Sequence, residues 1–239
     1  MNLKNIFSKK RILFILLFSV LVLIGKQLNF SSVIGSEAQY FTFFQFFGPI
    51  AGGFLGAGIG AISVLVAELI EFIAVGKAFS FVNLFRLTPM LFAAVFFAVY
   101  ARKKVKSKAL MAVIPLACIF FFVMHPVGNQ AWFYALYWLI PIATILFTKR
   151  LFFRSLGATF TAHAIGSTVW LYTIPMPATA WIALIPITAM ERILFALGIS
   201  VSFIAFNTVL AKLENLIPAE IVSIDYRYIL SRNLFKLKA

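Results

Sequence analysis

Seven apolar runs, at about 12–26, 38–75, 84–101, 109–125, 132–148, 155–174 and 179–210, fill most of this 239-residue chain. A membrane-spanning helix needs about 20 mostly apolar residues. The run at 38–75 is too long for one: as a single helix it would measure about 57 Å, nearly twice the hydrocarbon thickness. Its middle, GPIAGGFLGAGIG at 48–60, carries six glycines and a proline. Glycine adds backbone freedom and proline removes a helical hydrogen bond, so this density predicts a break between two short helices. Splitting the run there gives eight spans.

Charge supports the split independently. Lys and Arg number 21 against 7 Asp and Glu, and 17 of the cations fall in four clusters at the ends of apolar runs. The clusters are Lys4 with Lys9, Lys10 and Arg11; the five cations of 102–108; Lys149, Arg150 and Arg154; and Lys212 with Arg227, Arg232, Lys236 and Lys238. Positive loops face the cytoplasm. Placing the first two clusters on one side requires an even number of spans between them, which four supply and three do not. Both termini are then cytoplasmic, with outer loops at about 27–37, 76–83, 126–131 and 175–178. Only Lys26 and Lys77 sit on the outer side, and Arg86 and Arg192 fall within or beside spans.

Hydrophobic residues make up 63% of the chain and charged residues 12%, where soluble domains carry roughly 45–50% and about 25%. A soluble globule and a nucleic-acid-binding basic domain are both excluded. The expectation is an all-α integral membrane protein, a polytopic helical bundle in the cytoplasmic membrane, in one domain over 1–212. Residues 213–239 form a cytoplasmic tail, amphipathic on the membrane surface or disordered. The first run follows a basic stretch, but no small-x-small cleavage site follows it, so it is kept as a helix. Cys118 stands alone, which leaves no intrachain disulfide or thiolate metal site.

Ionisable residues inside spans are functional candidates because charge is costly there. Glu68 and Glu71 share a helical face near the outer end of their span. Asn83 and Arg86 open the next span at that depth, and His125, Asn129, Gln130 and Trp132 cluster at the outer turn after 109–125. Glu71 and Arg86 fit a structural ion pair. The whole set also fits an outer pocket for a small polar or amphipathic solute. His163 and the Glu191–Arg192 pair form a deeper set near mid-membrane, placed to pair with each other as a clamp or to serve a ligand or a proton. No His-Glu-x-x-His, Gly-x-Ser-x-Gly or phosphate-loop pattern is present, so neither an enzyme nor a cofactor or metal is expected.

Residues 47–69, FGPIAGGFLGAGIGAISVLVAEL, resemble the signature of the substrate-binding S components of energy-coupling-factor vitamin transporters. In that family a proline and a glycine-rich stretch make two short helices; a polar outer turn, a helix ending in a basic loop and a hairpin follow. The order here is similar over about 10–150. The resemblance implies a six-helix core with an added hairpin at about 155–210. It implies a solute-binding subunit for a vitamin-like molecule, working with a transmembrane coupling subunit and ATPases. An Ala-x-x-x-Ala face on the first helix, often used there for docking, is absent from 12–24. The alternative is a self-sufficient secondary transporter or channel, with Glu68, Glu71, His163 and Glu191 as a proton or ion path.

Overall fold

Gly56 breaks the long glycine-rich run. Its φ of +81° is a conformation that side-chain-bearing residues rarely adopt, and it separates α2 (Ile50–Leu55) from α3 (Ala57–Ala74). The expected two-helix split is therefore present, with a 3-10 turn at Phe43–Phe46 leading into α2. Glycines then let the two pieces fold closely together. A Cβ on Gly60 would collide with the Gly52 backbone, and one on Gly52 would overlap the Ala94 carbonyl of the neighbouring helix. Small residues permit such close backbone approach where lipid provides no hydrophobic drive between helices.

The computed structural model describes residues 9–33, 40–101, 105–147, 149–213 and 222–230. α1 (Lys9–Gln27) leads to a short antiparallel hairpin of β1 (Asn29–Ser32) and β2 (Tyr40–Thr42). After α3 come α4 (Phe81–Phe85), α5 (Thr88–Ala101), α6 (Val105–Met124) and α7 (Pro126–Gln130). The next apolar segment is irregular: 3-10 turn Trp132–Trp138, α8 (Leu139–Ala143), and 3-10 turn Thr144–Phe147. α9 (Leu151–Thr173) and α10 (Ala178–Lys212) complete the bundle. Three helical segments, Ala57–Ala74, Phe81–Val99 and Ala178–Lys212, are long and apolar enough to cross a membrane, and shorter apolar helices accompany them.

α5 is the central helix. Ala93, Ala94, Phe96 and Phe97 are fully buried on it, packed among α2, α3 and α9. A second apolar cluster gathers Phe122, Tyr134, Trp138, Leu171 and Trp181. Side-chain bonds identify the two ends of the bundle. At one end Lys26, in the last turn of α1, meets Glu68 and Glu71 in the last turns of α3. At the other, the tail segment 222–230 is tied down: Ser223 N–H donates to the Phe54 carbonyl at 2.8 Å, Asp225 N–H to Asn207 Oδ1 at 2.8 Å, and the Tyr228 hydroxyl to the Lys149 carbonyl at 3.0 Å.

That part of the tail is thus an extended strap with one 3-10 turn, Tyr226–Tyr228, rather than an amphipathic surface helix. Buried Asn207 explains it, since its side-chain amide offers the strap a hydrogen-bonding partner inside the bundle. Lys4, residues 102–104, the loop portion 34–39 and the tail portions 214–221 and 231–239 lie outside the described residues, so the basic-loop placement at 102–108 falls largely there.

Candidate functional site

A cavity of about 250 Å³ opens at the end of the bundle that holds Lys26. The β-hairpin walls it through Ser32, Tyr40 and Phe41; α3 contributes Glu68, and the start of α5 Pro89 and Met90, with Arg86 just before it. The opposite wall is α9 and α10, including His163, Trp170, Trp181, Thr188, Glu191 and Arg192. Glu68 and Arg86 of the outer set therefore meet the deeper His163, Glu191 and Arg192 in one cavity. α10 runs 35 residues, and its Glu191–Arg192 step lies where the hairpin folds over it.

Glu68 accepts a short charge-assisted hydrogen bond from Lys26. Glu71 accepts from Lys26 at 3.0 Å and from Lys77 at 3.0 and 3.2 Å. The expected Glu71–Arg86 pair does not form. Lys26, in the last turn of α1, is within reach of both carboxylates, so the acids are satisfied without the arginine. Arg86 instead donates to Asn83 Oδ1 at 3.3 Å, and its guanidinium lies 4.8 Å from the Trp170 ring centroid.

Glu191 is equally committed. Its Oε1 accepts from the Ser31 hydroxyl at 2.6 Å, and its Oε2 from Arg192 at 3.3 Å. The Arg192 guanidinium sits 4.6 Å from the Phe41 ring and 4.5 Å from Phe195. His163 bonds to neither, so the expected His163–Glu191 clamp is replaced by an aromatic one. The Trp138 indole N–H donates to His163 Nδ1 at 3.1 Å, and His163 Nε2 lies 2.9 Å from the Tyr134 hydroxyl. An indole nitrogen can only donate, so Nδ1 is the acceptor and the ring proton of a neutral imidazole is on Nε2. Tyr134 then accepts from Nε2 and turns its own proton to Thr188 Oγ1 at 3.1 Å.

The cluster at the outer turn stands apart from the cavity. His125 caps α7, its Nδ1 accepting from Val127 N–H at 3.3 Å, and packs edge-on to Tyr172. Asn129 and Gln130 donate to the Val123 and Pro126 carbonyls, and Trp132 is exposed against Phe133. These four therefore shape a turn and line none of the cavity.

Sequence reasoning missed Ser31, Phe41, Tyr134, Trp138, Trp170, Trp181 and Thr188. All but Ser31 lie in apolar runs, where an aromatic or Thr reads as packing. The available signal was the polar handle of Tyr and Trp, which needs a partner when buried. Among the described residues no group of three or more His, Cys, Asp or Glu is placed to hold a metal ion. No protein-family model, curated protein or solved structure matches the chain.

Proposed function

We propose that this chain is a multi-pass subunit of the cytoplasmic membrane that binds a small vitamin-like solute from outside, with a partner ATPase complex energising uptake. The observation that carries this is the cavity itself. It is half-enclosed, reached from the Lys26 end, lined by aromatic and apolar side chains and given a few fixed polar groups, which is the general form of a small-molecule site. Eight crossings with both termini inside place that end on the outer face and the strap on the inner one.

Two further features support the proposal. The Gly56 break, which separates α2 from α3, fits the glycine-rich two-helix arrangement that the S-component resemblance implies. The carboxylates and imidazole that a proton path would use are each engaged: Glu68 and Glu71 by lysines, Glu191 by Ser31 and Arg192, His163 by Trp138 and Tyr134. A relay must release and rebind protons along a chain of groups, and groups already held by these partners make a poor wire.

The test is reconstitution of the chain alone in vesicles with a panel of radiolabelled water-soluble vitamins. The expected result is saturable binding without accumulation, whether or not a pH gradient is imposed. Accumulation driven by the gradient would establish the self-sufficient transporter instead.

A further inference from the structure

The charges around the cavity do not balance. Glu68 is paired with Lys26, and Glu191 with Arg192. Arg86 lines the same cavity, and among the described residues no carboxylate lies within ion-pair distance of it; its polar partner is the neutral Asn83. Stacking on Trp170 softens the cost of that charge without cancelling it. An uncompensated guanidinium beside an apolar cavity favours an anion, and its fork matches a carboxylate in particular, through two parallel hydrogen bonds.

The rest of the cavity constrains the body of the solute. An apolar cavity of about 150 Å³ accommodates benzene, so one of about 250 Å³ accommodates a ring with a short side chain. Trp170, Trp181, Met90 and Ile187 give it flat and apolar walls. Resting on the solute-binding role proposed above, we infer that the cavity selects a monoanionic carboxylate with a compact aromatic or apolar body, the carboxylate on Arg86 and the ring between the tryptophan-bearing α9 and α10.

Three probes of one shape and different charge test this: indole-3-acetate, indole-3-acetamide and tryptamine, measured by equilibrium dialysis on the full chain in phosphatidylcholine nanodiscs. The carboxylate should bind at least tenfold tighter than the amide, and tryptamine weakest. Arg86→Gln should weaken the carboxylate at least tenfold more than the amide and so remove the preference between them, while Arg86→Lys should keep the preference for the anion; size-exclusion profiles show that the variants fold. Amide or amine binding as tightly as the carboxylate, or a preference that survives Arg86→Gln, overturns the charge assignment and leaves the solute-binding role standing. Binding of none of the three by folded protein removes both. Loss of carboxylate binding in phosphatidylglycerol nanodiscs would make a lipid headgroup the anion at Arg86 and overturn the assignment to a soluble carboxylate.

Discussion

The Trp138 indole donates its only proton to Nδ1 of His163 across 3.1 Å, and this single bond fixes the tautomer of a buried histidine. His163 is thereby a structural hub that ties Tyr134, which lines the cavity with it, to Trp138 behind.

His163→Ala orphans the Trp138 N–H and leaves the Tyr134 hydroxyl with Thr188 as its partner, and an unsatisfied buried polar group costs about 1–3 kcal/mol. The melting temperature of purified protein should fall clearly, with less than a tenfold change in affinity for any ligand that binds. Unchanged melting with a loss of tenfold or more, about 1.4 kcal/mol, would instead put His163 in direct contact with solute.

Lys26 and Lys77 both serve Glu71, in different surroundings: the Lys26 side chain is 11% exposed and that of Lys77 45%. Removing one partner of a buried pair costs about 3–5 kcal/mol, whereas exposed pairs contribute about 0–1 kcal/mol. Lys26→Met should therefore destabilise far more than Lys77→Met in thermal melts, since it strands Glu68 as well. Equal effects would mean that Lys26 is hydrated rather than enclosed.

Sidedness is open to labelling. With Cys118 replaced by Ser, a single cysteine at position 77 should react with a membrane-impermeant maleimide added to intact cells, and one at position 106 should not. Labelling at 106 would break the eight-crossing arrangement.

The strap gives a pH dependence. Hydrogen bonds from the Arg227 side chain, at 2.9 and 2.7 Å, hold the Asp225 carboxyl below the ordinary aspartate range. A depressed carboxyl contributes stability that is fully present above its unfolded value, about 3.9, and is lost as pH falls through the folded value. Hydrogen exchange at 222–230, corrected for intrinsic rate, should be flat from pH 7 to 5 and rise only in stronger acid. The loss should be small because the Arg227 side chain is largely exposed. Asn207→Ala should loosen the strap more at every pH, because the buried Asn207 amide receives Asp225 N–H directly.

The legible parts of the sequence were those set by neighbours along the chain. The Gly56 break followed from glycine density and span length, and the shared face of Glu68 and Glu71 from helical spacing. Which cation answers those acids was not legible. It depended on the Lys26 side chain, at the end of α1, turning toward α3, an orientation that tertiary contact decides. Nor was the meeting of Arg86 with Trp170, or of Ser31 with Glu191, 160 residues apart. Which faces of α5, α9 and α10 turn toward one another was set by packing. His125, read from its polar turn as a ligand contact, also has a local part that the sequence did not show: its Nδ1 accepts from Val127 N–H at the start of α7.

The cavity wall supplied by α9 and α10 bears on how such a chain can be divided. A fragment ending near residue 148 keeps Glu68 and Arg86 but loses His163, Trp170, Trp181 and Glu191, so its cavity would lie open sideways to lipid. The last two helices are therefore no detachable appendix. Severed halves should regain a site only when produced together, each contributing the face the other lacks.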